Sequence, residues 1–388
     1  MALRNISFVP NTDDIAGAGS TSPPNNAPQP ASSPGGSVSI HEVAAAAGVS
    51  IATVSRVINH SSSVAPATAA KVRRVVEQLG YVPNPLAKGL GTGETRVIGL
   101  ALPRFHGEFM SWLLHGADEE ATRLGYHLMM TTITRGPDGR RRRPLIGSRL
   151  IDAMIVVVTD SSDSIAEDIL ASSTPAVVVD ADMSDKGLDS VVLDNEKGTV
   201  EAVDHLLRWV DPGDLYFVGG PRTNFDSVQR ARAFAAALSS RGWTPTPEQT
   251  IMGDYSVDWG KEWAVRMIQR GLLGSTSATG GPPAQPMGTN RVGAVIAAND
   301  KIACGIMDAA EAARVWVPSQ LRIVGFNDSH MSRLVRPRIS TVALPMAEMG
   351  ATAVRTLIRR IDDRTAAPMC IRLPTRLIVR ESSTAMNF

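Results

Sequence analysis

The strongest constraint on the fold of this chain is the alternation, from Arg96 onward, of short apolar runs with amphipathic helical patterns. Runs that are apolar at every position are typical of strands covered on both faces, as in parallel sheets flanked by helices. They occupy residues 96–103, 126–133, 152–158, 176–180, 190–194, 215–220, 294–299 and 321–326. Helical patterns separate most of them, for example at 107–124, 196–209, 225–241, 258–271 and 300–313. Because this number of strands is too large for one compact doubly wound unit, the pattern predicts two α/β lobes.

Composition argues against several classes of protein. The chain has 388 residues, 43% of them apolar and 20% charged, which suits two or three globular domains. No apolar run approaches the roughly 18 residues of a membrane span, and the first residues lack a secretory signal. We therefore expect a cytoplasmic protein with no membrane partner. With only Cys304 and Cys370, and with no metal-ligand spacing among the histidines, we expect no metal and no cofactor.

Two segments lack any helical or strand period. Residues 1–37 include SPPNNAPQPASSPGGS, which offers too little apolar surface to offset ordering and predicts a disordered tail. The stretch at 274–290 includes GSTSATGGPPAQPMG, which predicts a flexible surface insertion within the body. A short linker, GLGTGETR at residues 89–96, separates a small head from this body.

The head has the start and stop signals of three short helices. Ser39 and Glu42 form a capping box that begins the first helix, and Gly48 suits the left-handed residue that ends it. A second helix is predicted over 51–58 and a third over 66–79. Two short helices joined by a glycine-containing turn form a helix-turn-helix, whose second helix enters the major groove of DNA.

The head also has a local excess of positive charge. The whole chain is nearly neutral, with 39 Lys and Arg against 38 Asp and Glu. Between residues 38 and 93, the charged residues are the basic Arg56, Lys71, Arg73, Arg74 and Lys88 and the acidic Glu42 and Glu77. The resulting net charge of +3 concentrates in the head the charge that binding to a DNA backbone requires.

The head sequence, SIHEVAAAAGVSIATVSRVINHSSSVAPATAAKVRRVVEQLGYVPNPLAKGL, resembles that of the lactose/galactose-repressor family of bacterial transcription regulators. The similarity continues in family order through IGLALP, VVLDN, VGG, AAND, VPSQLRIVGFND, STVALPMAEMG and LPTRLIVRESS. It covers about residues 38–384, apart from the insertion. The resemblance implies an N-terminal all-α helix-turn-helix head and an α/β body of two doubly wound lobes, similar to periplasmic binding proteins.

The resemblance also implies domain boundaries. A helix-turn-helix DNA-binding domain would span 38–82, a hinge helix and linker 83–95, and an effector-binding and dimerisation domain 96–388. The body is expected to divide into two lobes, namely about 96–194 with 327–342, and 195–326 with 343–388.

By the same resemblance, Ile51, Ala52 and Arg56 of the second helix occupy base-reading positions. Arg56 suits guanine because its fork matches O6 and N7 bidentately, whereas the other two side chains could only contact thymine methyls or exclude bases by size. A further set would bind phosphates and fix the register: Ser50, Thr53, Ser55, Asn59, Thr68, Tyr81 and Asn84. Thr53 and Ser55 have the alternative interpretation of ordinary helix surface.

The run PNPLAKGL at 83–90 matches the family's hinge helix, which orders on operator DNA and inserts a leucine into the minor groove. Leu90 takes this wedge position, with Ala87 and Lys88 beside it, and such a wedge kinks the duplex. Gly89 departs from the family pattern and costs about 1 kcal/mol inside a helix, so we expect more disorder off DNA. In the alternative interpretation, Leu90 is a linker residue packed on the body.

Ligands of doubly wound lobes bind at the carboxyl ends of the strands, where Phe105, Phe109, Asp160 and Asp194 stand here. The resemblance adds further effector-cleft residues: Asn224, Asp226 and Arg230 at a loop and helix start, Tyr255 as an aromatic that stacks on a ring, and Asp300 as an acceptor of ligand hydroxyls. Arg230 could instead be a surface arginine, and Asp300 could instead cap the following helix.

These features predict a ligand-responsive, sequence-specific DNA-binding transcription regulator, a repressor that acts as a homodimer on double-stranded operator DNA. The effector is expected to be a sugar bound between the lobes, with a purine as the alternative. The dimer follows from the resemblance, because the family's tetramers use an added C-terminal helical segment and this chain ends soon after RLIVRESS. A solute-binding receptor that uses only the clamp is the alternative function. An enzyme is not expected, since no catalytic constellation is present.

Overall fold

The computed structural model describes residues 38–58, 63–82, 94–103, 108–133, 146–161, 165–273 and 292–384. The chain divides into two compact units, residues 1–83 and 84–388. Three predicted features lie outside the described residues, namely the tail at 1–37, the hinge run at 83–90 and the insertion at 274–290.

In the first unit, three helices surround a small apolar core: α1 (Ile40–Ala47), α2 (Ile51–Ile58) and α3 (Pro66–Leu79). The predicted capping box of α1 is confirmed, because Ser39 Oγ accepts from the Glu42 N–H at 3.3 Å and the Glu42 carboxylate accepts from the Ser39 N–H at 2.7 Å. The core is formed by apolar side chains from all three helices: Val43, Ala44, Ala47, Val54, Val57 and Val72.

The second unit contains two six-stranded sheets. The first is built from β1 (Val97–Leu102), β2 (His127–Thr132), β3 (Ala153–Val157), β4 (Ala176–Val179), β5 (Asp189–Leu193) and β11 (Cys370–Leu373). Its order is β11–β5–β4–β3–β1–β2, and all neighbouring strands are parallel. Its helices are α4 (Glu108–Arg123), α5 (Ile165–Leu170) and α11 (Met346–Asp362).

Helices on both faces explain why the strands of this first lobe are apolar at every position. Alternate residues of a strand point to opposite faces, so β1 contributes to two cores. Ile98 and Leu100 pack in the core that includes α4 and α11, whereas Val97 and Ala101 pack in the core that includes α5. This arrangement is the one that the continuous apolar runs predict.

The second sheet is built from β6 (Leu215–Gly219), β7 (Thr250–Met252), β8 (Gly293–Ala297), β9 (Leu321–Asn327), β10 (Ser340–Ala343) and β12 (Arg376–Ile378). Its order is β12–β10–β9–β8–β6–β7, with only β12 antiparallel to its neighbour. The helices of this lobe are α6 (Asn195–Leu206), α7 (Phe225–Ser239), α8 (Val257–Gln269), α9 (Asp300–Ala312) and α10 (His330–Leu334). The predicted architecture of a helical head and two α/β lobes is confirmed.

The strand pairing contradicts the predicted division of the body at 327–342 and 343–388. β10 pairs with β9 and belongs to the second lobe, whereas α11 packs on α4 and β11 pairs with β5 in the first lobe. The chain therefore passes between the lobes three times, after β5, after β10 and after β11. The sequence pattern missed the last two passages because β10, β11 and β12 are only three or four residues long.

In the first lobe, α4 and α11 cross with their backbones in contact. A Cβ atom on Gly116 would overlap the carbonyl oxygen of Ala347, and one on Gly350 would overlap that of Leu113. Glycine is therefore required at both positions, because any side chain would force the helices apart.

The second lobe repeats this contact between α8 and α9. A Cβ atom on Gly260 would overlap the carbonyl oxygen of Ile302, and one on Gly305 would overlap that of Val257. Each lobe thus contains one pair of helices whose close approach depends on reciprocal glycines.

We expect Gly116→Ala to destabilise the protein by about 1–3 kcal/mol, since the added methyl group must displace α11. Helix propensity alone would favour alanine at this position by about 1 kcal/mol, so a loss of stability identifies the helix contact as its cause. The measurement is the midpoint of urea unfolding. Ser111→Ala, at an exposed position of the same helix, is the control and should not lower the midpoint. An unchanged midpoint for Gly116→Ala would contradict the analysis.

Candidate functional site

The exposed face of α2 carries the residues predicted to read bases. Val54 and Val57 are buried in the core of the head, so Ile51, Ala52 and Arg56 lie on the exposed side of the helix. Ile51 is 40% exposed although it is large and apolar. The face therefore offers one cationic fork with apolar side chains beside it, a combination that can contact base edges in a groove.

The side chains predicted to bind phosphates have varied surroundings. Ser50 caps α2, since its Oγ accepts from the Thr53 N–H at 3.2 Å and lies 2.9 Å from Thr53 Oγ1. Ser55, Thr68 and Tyr81 are half-buried, the first on α2 and the others at the two ends of α3. The remaining predicted DNA-binding residues lie outside the described residues: Asn59, Asn84, Ala87, Lys88 and Leu90.

A cleft of about 1380 Å³ lies in the body, lined by residues that follow strands of both sheets. Polar groups at the carboxyl ends of parallel strands commonly form ligand sites. Most of the predicted effector residues line this cleft: Phe109, Asp160, Asn224, Asp226, Arg230, Tyr255 and Asp300. Phe105 lies outside the described residues.

Asp194 does not line the cleft, contrary to the prediction. Its carboxylate accepts from the Lys197 N–H at 3.1 Å and caps α6, because the first amides of a helix lack partners within the helix. The next residue, Asn195, is 1% exposed and donates to Asp226 Oδ1 at 2.7 Å. The loop after β5 therefore supports the cleft through the side-chain amide of Asn195 and not through the carboxylate of Asp194.

Arg230 is only 2% exposed, so the alternative of a surface arginine is wrong. Its Nη2 donates to Asp226 Oδ2, its Nε to Asn195 Oδ1 and its Nη1 to the Ala298 carbonyl oxygen, each at 2.8 Å. The guanidinium also lies 4.5 Å from the centre of the Phe326 ring. A buried charge requires such pairing, which holds the guanidinium in one position beside the cleft.

Asp180 lines the cleft and was not among the residues predicted from the sequence. It directly follows β4, is 3% exposed and has a φ of 80°, which is unfavourable for a residue other than glycine. Among the described residues, its buried Oδ1 has no hydrogen-bond partner. Burial raises the pKa of Asp180 well above its ordinary value, and the nearby Asp226 carboxylate adds to this effect while Arg230 opposes it. A ligand that donates a hydrogen bond would satisfy this oxygen.

Tyr255 and Asn224 form a second polar pair in the cleft. The Tyr255 hydroxyl donates to Asn224 Oδ1 at 2.7 Å, and burial raises the pKa of this phenol, so it stays protonated. Asn224 also caps α7 by accepting from the Ser227 N–H at 2.9 Å. Its Nδ2 donates to the Thr159 carbonyl oxygen of the first lobe at 2.9 Å, so this side chain links the two lobes.

Further hydrogen bonds join the lobes beside the cleft. Thr223 Oγ1 of the second lobe donates to Asp160 Oδ2 of the first at 2.6 Å. The carboxylate of Glu108, at the start of α4, accepts from the backbone N–H of His330, at the start of α10, at 2.7 Å. Movement of one lobe against the other would therefore break or remake contacts with cleft-lining residues.

Asp300 is 1% exposed and is held by two hydrogen bonds, from Thr341 Oγ1 and from the Ser329 N–H, both at 2.7 Å. Burial raises the pKa of Asp300 to about 6, against the lowering effect of these bonds. Asn299 caps α9 by accepting from the Ile302 N–H at 2.8 Å, so capping by Asp300 is wrong. Each carboxylate oxygen of Asp300 thus accepts one hydrogen bond from the protein and has a further lone pair for a ligand in the cleft.

The sequence analysis also missed charged and strained residues after β9. Asn327 and Asp328 have positive φ values of 105° and 52°, and Arg333 pairs with Asp328 at 2.5 Å. With these residues, the lining has seven carboxylates and five arginines or lysines. The signal that could have found them is the run GFND, in which polar residues end an apolar strand.

Neither a membrane-spanning helix nor a metal-binding cluster occurs among the described residues. Every helix there is too short or too polar to cross a membrane. The same residues contain no cluster of three or more His, Cys, Asp or Glu that could hold a metal ion.

Two family models match the chain. The model for bacterial regulatory proteins of the lacI family matches residues 39–84, and the model for a periplasmic binding protein-like domain matches residues 214–383. They agree with the helical head and with the α/β body, respectively. Residue 39 is the N-cap of α1, so the first match begins where the helical head begins.

Curated relatives match over nearly their whole length. The HTH-type transcriptional regulator DegA of Bacillus subtilis (strain 168) is 30% identical over 352 residues, which cover 90% of this chain and 98% of DegA. Catabolite control protein A of Priestia megaterium is 28% identical over 352 residues, which cover 89% of this chain and 99% of that protein. These relatives are transcription regulators and not enzymes.

Solved structures share the fold. A lac repressor dimer bound to operator and the anti-inducer ONPF has a TM-score of 0.76 at 23% identity, covering 90% of this chain and 100% of that chain. The regulator CelR in complex with cellobiose has a TM-score of 0.64 at 24% identity, and the match covers 89% of this chain and 100% of the CelR chain. Together with the head, the two-lobed body and the match to DegA, these findings show that the chain belongs to the lacI family of bacterial regulatory proteins, which are DNA-binding transcription regulators with a ligand-binding domain.

Proposed function

We propose that this protein is a repressor that binds operator DNA as a homodimer, and that a small-molecule effector bound in the cleft changes its affinity for that DNA. The observation that carries the proposal is the presence, in one chain, of an exposed face on α2 that carries Arg56 and of a large cleft in which a buried carboxyl oxygen of Asp180 has no partner among the described residues. The lac repressor dimer on operator and the CelR complex with cellobiose support both halves of it. Binding to bacterial DNA places the protein in the cytoplasm.

In this proposal, residues 38–82 read DNA, 83–95 form the hinge and linker, and 96–388 bind the effector and dimerise. Arg56 reads a guanine, and Ile51 and Ala52 contact thymine methyls or exclude other bases. The phosphate-binding set and the Leu90 wedge keep the roles that the family resemblance implies.

The polar groups of the cleft favour a neutral, hydroxylated ring as effector. Asp180 Oδ1, which has no partner among the described residues, and the carboxylate of Asp300 can accept hydrogen bonds from hydroxyl groups, and Tyr255 offers a ring face. The excess of carboxylates over cations disfavours a phosphate ester, because its charge would be repelled. A sugar meets these requirements, and a purine is the alternative.

The proposal is tested by selecting DNA from a random pool with the purified full chain at one near-physiological salt concentration. We expect enrichment of a pseudo-palindrome, because a symmetric dimer presents two copies of α2. The selected DNA is then titrated with protein in the presence of single sugars and single purines. Enrichment of an asymmetric site would contradict the homodimer. If no sugar changed the affinity for DNA and a purine did, the effector would be a purine and not a sugar.

We expect Arg56→Ala to reduce affinity for the selected site by about 1–3 kcal/mol and to relax discrimination at one base pair of each half-site. The measurement is a set of affinities for single-base variants of that site. Arg74→Ala removes the same charge from an exposed position of α3 and should weaken binding to every variant by the same factor. An equally uniform loss for Arg56→Ala would show that this side chain contacts only phosphate.

We expect Asp180→Asn to stabilise the ligand-free protein at pH 7.5 and to weaken effector binding about tenfold. A carboxyl whose pKa is raised by folding favours the folded state at low pH, and this contribution is lost as the pH rises through the folded-state pKa. The gain in urea midpoint over wild type should therefore disappear as the pH falls toward about 4.

Asp189→Asn is the matched control for this prediction. Asp189 is also buried, but it accepts from Arg360 Nε at 2.7 Å and from Arg359 Nη2 at 3.1 Å. Its neutralisation leaves the two arginines without a carboxylate partner and should lower the urea midpoint at pH 7.5. If Asp180→Asn lowered the midpoint as well, Asp180 would be a structural residue and its proposed contact with the effector would fail.

A further inference from the structure

A second, smaller cavity of about 350 Å³ lies on the second lobe and shares no lining residue with the cleft. It is formed between the edge strand β7, with Glu248 two residues before it, and the C-terminal half of α8 with the residue that follows this helix. Its lining residues are Glu248, Ile251, Trp263, Arg266, Met267, Gln269 and Arg270. The volume is within the range of small-molecule sites, at its lower end.

The floor of this cavity is apolar and firmly packed. Trp263 and Met267 are 3% and 4% exposed, and the Trp263 ring contacts that of Tyr216 edge-on at 6.1 Å. Ile251 of β7 completes the apolar part of the lining. The indole N–H of Trp263 is buried and has no acceptor among the described residues, so the floor contains an unsatisfied hydrogen-bond donor.

Three exposed charges surround this floor. Arg266 lies on α8 and Arg270, four residues later, is the residue that ends this helix, and neither forms an ion pair within the described residues. The guanidinium of Arg266 lies 5.7 Å from the Trp259 ring. Glu248 stands before β7, also without an ion-pair partner in the part of the chain that the structure describes. The cavity thus combines a pair of cations, one carboxylate and an apolar floor.

We propose that this cavity binds an α-amino acid with an apolar side chain. The arginines would bind the carboxylate, for which their planar forks are suited. Glu248 would bind the ammonium group, and the side chain would lie on Trp263, Met267 and Ile251. A sugar has neither charge, a phosphate ester lacks the cation, and an apolar molecule would leave all three charged groups without partners. The site is therefore chemically distinct from the effector cleft.

The test is calorimetric titration of the full chain with L-leucine and L-phenylalanine, and with two analogues that each lack one charge. L-Leucinamide lacks the carboxylate, and N-acetyl-L-leucine lacks the ammonium group. We expect the free amino acid to bind at least about tenfold more tightly than either analogue, since each loses a charge-assisted contact. Absence of leucine and phenylalanine binding, or equal binding of the analogues, would overturn the proposal.

Variants locate the binding to this cavity. Arg266→Ala with Arg270→Ala should weaken leucine binding about tenfold or more, and Glu248→Gln should remove the preference for leucine over N-acetyl-L-leucine. Arg232→Ala, at an exposed position of α7, is the control and should bind as wild type does. Leucine binding that survives the double substitution would place the ligand elsewhere and refute this site.

A spectroscopic readout is independent of affinity. In protein labelled with ¹⁵N at tryptophan, L-phenylalanine should shift the indole N–H resonance of Trp263. This resonance is assigned by its absence from the spectrum of Trp263→Phe. The resonance should stay in place in the variant with both arginines replaced. A shift confined to other tryptophans would contradict the proposed floor.

Discussion

Because the guanidinium of Arg230 is almost fully buried, protein groups must meet its charge, and they come from three parts of the second lobe. Asp226 belongs to α7, Asn195 begins α6, and the Ala298 carbonyl follows β8. The same pairing commits the cation to Asp226, while the buried Oδ1 of Asp180 in the first lobe has no hydrogen-bond partner in the part of the chain that the structure describes. The cleft is thus rigid on one side and open to a hydrogen-bond donor on the other.

The sequence pattern located β1 to β6, β8 and β9, because burial on both faces makes most of these strands apolar throughout. It missed β7, β10, β11 and β12, which are three or four residues long and mostly only half-buried. It also placed the lobe boundaries wrongly, since the pairing of β11 with β5 joins residues about 180 positions apart. No local pattern reports such a contact, whereas the capping box of α1 is a local interaction and was predicted correctly.

For the cleft, the family resemblance supplied residues that composition could not distinguish from surface. Arg230 lies on an ordinary helical pattern, and only the fold shows that it is buried. The rule that polar residues follow apolar runs selected Asp160, which lines the cleft, and the same rule applied to AVVVD would have selected Asp180. The rule was wrong for Asp194, although the next residue supports the cleft. A helix begins at that point, and the carboxylate of Asp194 accepts a hydrogen bond from a backbone N–H of its first turn.

The reciprocal glycines determine how the body can change shape. Helices whose backbones already touch at Gly116 and Gly350, or at Gly260 and Gly305, cannot slide or roll without steric overlap. Each lobe must therefore move as a rigid lever, and the deformation is left to the three short connections at 194, 344–345 and 374–375. A small rotation at those connections produces its largest displacement at the end of the lobe farthest from the cleft.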